Sequence, residues 1–129
     1  MERIEMLISL NMIDEKDHLD LLKIIEIVES TCDVKVTEEN GGIFITHVAA
    51  LFQRNKNGTL IDPLGGDVIS QLKSETHYRL AQKTVDLIAS TIFNPISELE
   101  RHYLVLHLCT LKNSDVSAKE LLSNRVDVL

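Results

Sequence analysis

The stretch that decides the fold is Phe44-Ile45-Thr46-His47-Val48-Ala49-Ala50-Leu51-Phe52-Gln53-Arg54. Ile45, Val48, Ala49 and Phe52 fall at i, i+3, i+4 and i+7, which is one face of an α-helix and not the alternation of a strand. The spacing predicts a helix from about Asn40 to Asn57, with Gly58 as its left-handed stop. His47 and Arg54 point roughly away from that apolar face. They are seven residues apart, two helical turns, and so lie on one side of the helix. One reading of that side is a solvated polar surface. The other is a reactive imidazole with a guanidinium nearby, whose fork of donors suits phosphate.

Outward from this segment the helical period continues in both directions. Asp14 is placed to cap a helix starting near Glu15, with Asp17 completing an approximate capping box. That helix carries Leu21, Leu22, Ile24, Ile25, Ile27 and Val28 and ends around Thr31. Asp33-Val34-Lys35-Val36-Thr37 is alternating and β-branched, as expected of a short extended linker. After the central helix, Asp62-Pro63 predicts a cap and first helical position for a short helix ending near Ser74. A further helix is expected from Glu75 to about Phe93, with Leu80, Val85, Leu87, Ile88 and Ile92 facing the core, and Asn94-Pro95 stops it. Ser97-Glu98-Leu99-Glu100 reads as a capping box for a helix reaching about Leu111. Ser114 is expected to cap a weaker terminal helix, and residues 1–12 read as a short helix at the front. The fold class is therefore all-α: a compact five-helix bundle with a short extra N-terminal helix. Its expected parts are an extension at 1–14, the helical domain at 15–112 and a C-terminal helix or tail at 113–129. The 97–111 helix is apolar almost all round, which places it centrally or under a second subunit.

Composition narrows the function. The chain has 129 residues, 44% of them hydrophobic and 26% charged, values of a soluble globular domain. Twenty acidic residues against 13 basic ones give a net charge of −7. That balance disfavours direct nucleic-acid binding and anionic membrane surfaces. No apolar run approaches the roughly 18–20 residues of a membrane span, and the first residues lack the pattern of a signal peptide. Cys32 and Cys109 lie far apart without zinc spacing and read as reduced, buried thiols of a cytoplasmic protein.

Five histidines carry the candidate chemistry: His18, His47, His77, His102 and His107. None pairs with another at i, i+3 or i, i+4, so no metal site is expected. No Gly-x-Ser-x-Gly nucleophile elbow is present. Gly41-Gly42 and Gly65-Gly66 read as helix-entry or turn glycines, not as a phosphate loop. No cofactor is expected. His107 sits within the apolar helix, with Glu100 seven residues before it on the same face. A satisfied core histidine is one reading of that position. His102 falls about 140° around the helix from His107, so the two do not form one site. His18 and His77 read most simply as surface residues near helix starts.

The pattern as a whole resembles the PTS regulation domain (PRD) family. Phe44 to Arg54 is similar to its first signature, in which Arg follows His by seven residues. Asp62-Pro63-Leu64 resembles its Asn-Pro-Leu turn, with Asp in place of Asn, and Tyr78 with Ala81 fits its Tyr-x-x-Ala. Glu100 to Leu108 resembles its final signature, an acid followed seven residues later by His. The resemblance covers about residues 15–112. It implies a five-helix bundle that acts as a homodimer, and a bacterial regulatory module, not an enzyme. It implies phosphorylation on histidine by the phosphocarrier HPr or an enzyme II component, modulating transcription or a partner protein. It places the phosphoacceptors at His47 and His107, with Arg54 and Glu100 as supporting residues. A single such domain without an appended nucleic-acid-binding module is expected to act on a separate partner. His47, opposite its helix's apolar stripe, is expected to be the more accessible acceptor. A helical dimeric scaffold and a two-component-type histidine phosphotransfer domain are the alternative readings.

Overall fold

The computed structural model describes the backbone of residues 1–128 and the side chains of residues 1–115. Six helices follow one another: α1 (Glu2–Ser9), α2 (Glu15–Cys32), α3 (Glu38–Asn57), α4 (Gly66–Lys73), α5 (Tyr78–Thr91) and α6 (Glu98–Val128). No strand is present among the described residues. The all-α bundle with one extra N-terminal helix is thus the observed architecture.

Local chemistry accounts for both ends of α2 and of α3. Asp14 accepts from the Asp17 amide at 2.8 Å, and the Asp17 carboxylate accepts in return from the Asp14 amide. Asp33 closes α2 in the left-handed conformation. Thr37 and Asn40 form a second reciprocal box that opens α3 two residues earlier than the apolar pattern suggests. Gly58 closes α3 with φ of 67°, as the sequence predicts. Residues 34–37 between α2 and α3 stay outside any helix.

Four expectations need correction. Asp62-Pro63 does not start α4. Helical bonding begins with the Ile69 amide donating to the Gly65 carbonyl at 3.0 Å, and Asp62-Pro63 lies ahead in the loop. Glu75 does not start α5 either. Its amide bonds back to Leu72 and its carbonyl accepts from Tyr78, making a turn before the helix begins. Leu87 is 42% exposed, because Ala81, Thr84, Val85 and Ile88 form the buried face of α5 and Leu87 lies off it. Ser114 caps nothing: α6 runs through it without interruption, since Leu111 to Asp115 contains neither Gly nor Pro to break the helix.

Packing arranges the helices around α6 and α3. α6 lies against α5 on one side and α3 on another, α2 lies against both α5 and α3, and α1 docks on α3. The centre is filled by Leu21, Ile24 and Val28 of α2, Ile45, Val48 and Leu51 of α3, Val85 and Ile88 of α5, and Leu104 and Leu108 of α6. Both cysteines are buried and free; the Cys32 sulfur is 3.2 Å from the Thr84 hydroxyl. The two faces of α3 therefore meet different neighbours. The apolar stripe enters the core, and the His47–Arg54 side lies along α6.

Candidate phosphoacceptor site

That second contact builds the site. On α6, Glu100, Tyr103 and His107 fall at i, i+3 and i+7, one stripe of the helix. On α3, His47 and Arg54 fall at i and i+7. The two stripes face each other across the α3–α6 seam.

Arg54 and Glu100 form its fixed part. Arg54 Nε donates to Glu100 Oε2 at 2.6 Å and Nη2 donates to Oε1 at 2.9 Å, a two-pronged pair. Glu100 is only 4% exposed. Its backbone amide donates to Ser97 Oγ at 3.2 Å, but its carboxylate does not return to the Ser97 amide as a full capping box requires. The carboxylate serves Arg54 instead. Breaking a buried pair of this kind by removing one partner costs about 3–5 kcal/mol, because the remaining charge is left without a counter-ion.

The imidazoles form the second part. The rings of His47 and His107 lie 4.5 Å apart between centroids, tilted by 42°. Tyr103 also stacks with His47, 5.6 Å between centroids and 18° between planes. His47 Nε2 is buried and has no hydrogen-bond partner. Its nearest acid is Glu100 Oε1 at 3.7 Å, beyond hydrogen-bond range, and that oxygen already accepts from Arg54. Burial, then the neighbouring His107 and then the Arg54 charge push the His47 imidazole down to about 4. Burial lowers His107 as well. Both rings are therefore neutral near pH 7, with a nitrogen lone pair available on each.

Two readings of these residues change. His47 is not on a solvated face: its side chain is 11% exposed and is covered by α6. It is accordingly not an openly accessible acceptor. The pairing also differs from the spacing argument, which set Arg54 beside His47 and Glu100 beside His107. Across the seam, arginine takes the glutamate and histidine takes the histidine. Tyr103, the aromatic between Glu100 and His107 in the same stretch, joins the cluster from its place three residues after Glu100 and four before His107. His102 lies outside, 3.4 Å from Glu98 on its own helix. His18, on α2, and His77, the residue before α5, make no ring contact with the pair among the described residues. No group of three or more His, Cys, Asp or Glu side chains is arranged to hold a metal ion among the described residues. No helix among them is long and apolar enough to cross a membrane.

Comparison with known proteins bears on the same segments. The family model for the PRD domain matches residues 22–110, a span that contains His47, Arg54, Glu100 and His107. A protein of Escherichia coli (strain K12), the uncharacterized protein YhfY, is 22% identical over 106 residues, covering 82% of this chain and 88% of that protein. No solved structure matches.

Proposed function

The chain belongs to the PRD domain family, and on that premise we propose that it is a bacterial regulatory module whose His47 and His107 accept a phosphoryl group from the phosphotransferase system. The donor is the phosphocarrier HPr or an enzyme II component, and the charge gained modulates transcription or a partner protein. The observation that carries this reading is the pair of neutral, facing imidazoles beside a guanidinium that presents two donors to an acid. A neutral imidazole is a competent nucleophile, and its chemistry needs no metal or cofactor. Transfer breaks the donor's P–N bond and forms a new one, with catalysis supplied by positioning between the two proteins. The chain itself is then the substrate and not the enzyme.

The output follows from charge. A phosphoryl group adds roughly −1.5 to −2 charges, taking phosphoserine as the guide. Delivered into the α3–α6 seam, that charge is repelled by Glu100 and attracted by Arg54. The packing of the two helices, and of any second copy seated on them, is thereby biased. Homodimerisation and a cytoplasmic location are part of the same reading. The test is intact-mass measurement of the purified chain after incubation with phosphorylated HPr and, separately, with enzyme II components. Gain of an acid-labile phosphoryl group is expected. No gain from any of these donors would refute the reading.

A further inference from the structure

In the unmodified chain the Glu100 carboxylate occupies the place a phosphoryl group on His47 needs, and we propose that modification exchanges one anion for the other on Arg54. This deepens the reading above and rests on it for His47 as an acceptor, not for the donor's identity.

The geometry has three parts. Glu100 Oε1 stands 3.7 Å from His47 Nε2 and at the same time accepts from Arg54 Nη2 at 2.9 Å. One carboxylate oxygen thus approaches both the nucleophilic nitrogen and the guanidinium. Nε2 is buried and bonded to nothing, so it is already positioned but covered. Phosphorus bonded to Nε2 would bring three oxygens into a 3.7 Å gap that a carboxylate oxygen fills. Both groups cannot stay. Arg54 offers the same pair of donors to a phosphoryl group as to a carboxylate, and the phosphoryl group carries the greater charge. Glu100 must therefore swing out of the seam, leaving Arg54 to the phosphoryl oxygens. Glu100 is a positioning residue in this scheme: it holds the acceptor shut until a stronger anion arrives.

The step balances with a small donor as well as with a protein donor. With phosphoramidate, the Nε2 lone pair forms the N–P bond while the P–N bond of the donor breaks. Ammonia leaves with that electron pair and takes up the proton that the ring sheds from Nδ1.

The experiment uses the full chain and phosphoramidate, so it does not depend on any phosphocarrier. Peptide mapping follows modification of His47 with time, and the proton–nitrogen NMR signal of Arg54 Nε reports which anion the guanidinium holds. The expected result is that the Arg54 signal moves as His47 is modified. Glu100→Gln, which keeps the shape and removes the competing charge, is expected to be modified several-fold faster than wild type. An Arg54 signal unmoved by modification, an equal or slower rate in Glu100→Gln, or no modification at His47 would each overturn the exchange. Should Glu100→Gln fail to fold, the wild-type Arg54 signal decides alone. Failure of HPr and enzyme II donors, with the exchange intact under phosphoramidate, would refute the proposed function and leave this inference standing.

Discussion

His47 gives the site its pH dependence. In the unfolded chain its imidazole titrates near 6.5; in the folded chain burial, His107 and Arg54 bring it to about 4. Between these values the unfolded state binds more protons, so stability falls as pH falls through that window. His107 is lowered in the same direction by burial. Thermal melts from pH 7.5 to 4.5 should show a decline that His47→Ala flattens; an unchanged pH profile in that variant would count against the neutral pair. The enclosure of His47 also sets its cost. An exposed histidine would be worth under about 0.5 kcal/mol, whereas His47→Ala at 11% exposure is expected to cost about 1 kcal/mol. Arg54→Ala should cost more, roughly 3 kcal/mol, by stranding the Glu100 carboxylate, measurable by urea titration. At this scale the sequence named four candidate residues that the structure brings to one seam, but not which of them pair. Intrahelical spacing puts Arg54 on the side of His47, yet the α3–α6 register, which no local pattern contains, pairs it with Glu100.

The helices that carry these residues depend on their own ends. α3 holds His47 and Arg54 in place, and Thr37 with Asn40 fixes where it begins. Thr37→Ala is expected to cost about 1 kcal/mol in chemical denaturation. Four residues on, Gly41 leaves no room for a side chain, because a Cβ there would stand 2.5 Å from Val36 Cγ1. Gly41→Ala should therefore destabilise by roughly 1–3 kcal/mol although Ala is the better helix former, and a stabilised variant would contradict this packing. The helix-entry reading of Gly41-Gly42 in the sequence is consistent with that position. Legibility followed chemistry at this scale. Caps made by neighbouring residues, such as Asp14 with Asp17 and Gly58, were readable because they are local. Asp62-Pro63 misled because its start signal is overridden by the loop that continues to Gly65. Leu87 and Leu22 misled because hydrophobicity alone does not say which leucine of an amphipathic helix meets a neighbour; they are 42% and 45% exposed.

Across the whole molecule, the acidic balance and the seam site lead to the same expectation: a regulated module that addresses proteins and not nucleic acid. A net charge of −7 gives no basic footprint, and gel-shift assays at physiological salt should show no binding of DNA or RNA by the isolated chain. Sedimentation at micromolar concentration is expected to show a dimer; the partly exposed Leu99, Tyr103 and Leu106 on α6 are surfaces a second copy could cover. The fold class was legible because nearly every segment has a 3.6-residue period, and the family because four motifs stand in order along it. What α6 packs against was not legible, since a helix apolar on most sides is compatible with several neighbours. Whether His47 and His107 receive phosphate is decided by acid-labile phosphate on wild type, on each single alanine variant and on the double variant after incubation with phosphorylated HPr and enzyme II components. Incorporation is expected in wild type and none in His47→Ala/His107→Ala, with the double variant still folded by circular dichroism. Phosphate persisting in the double variant, at His18, His77 or His102, would contradict the assignment.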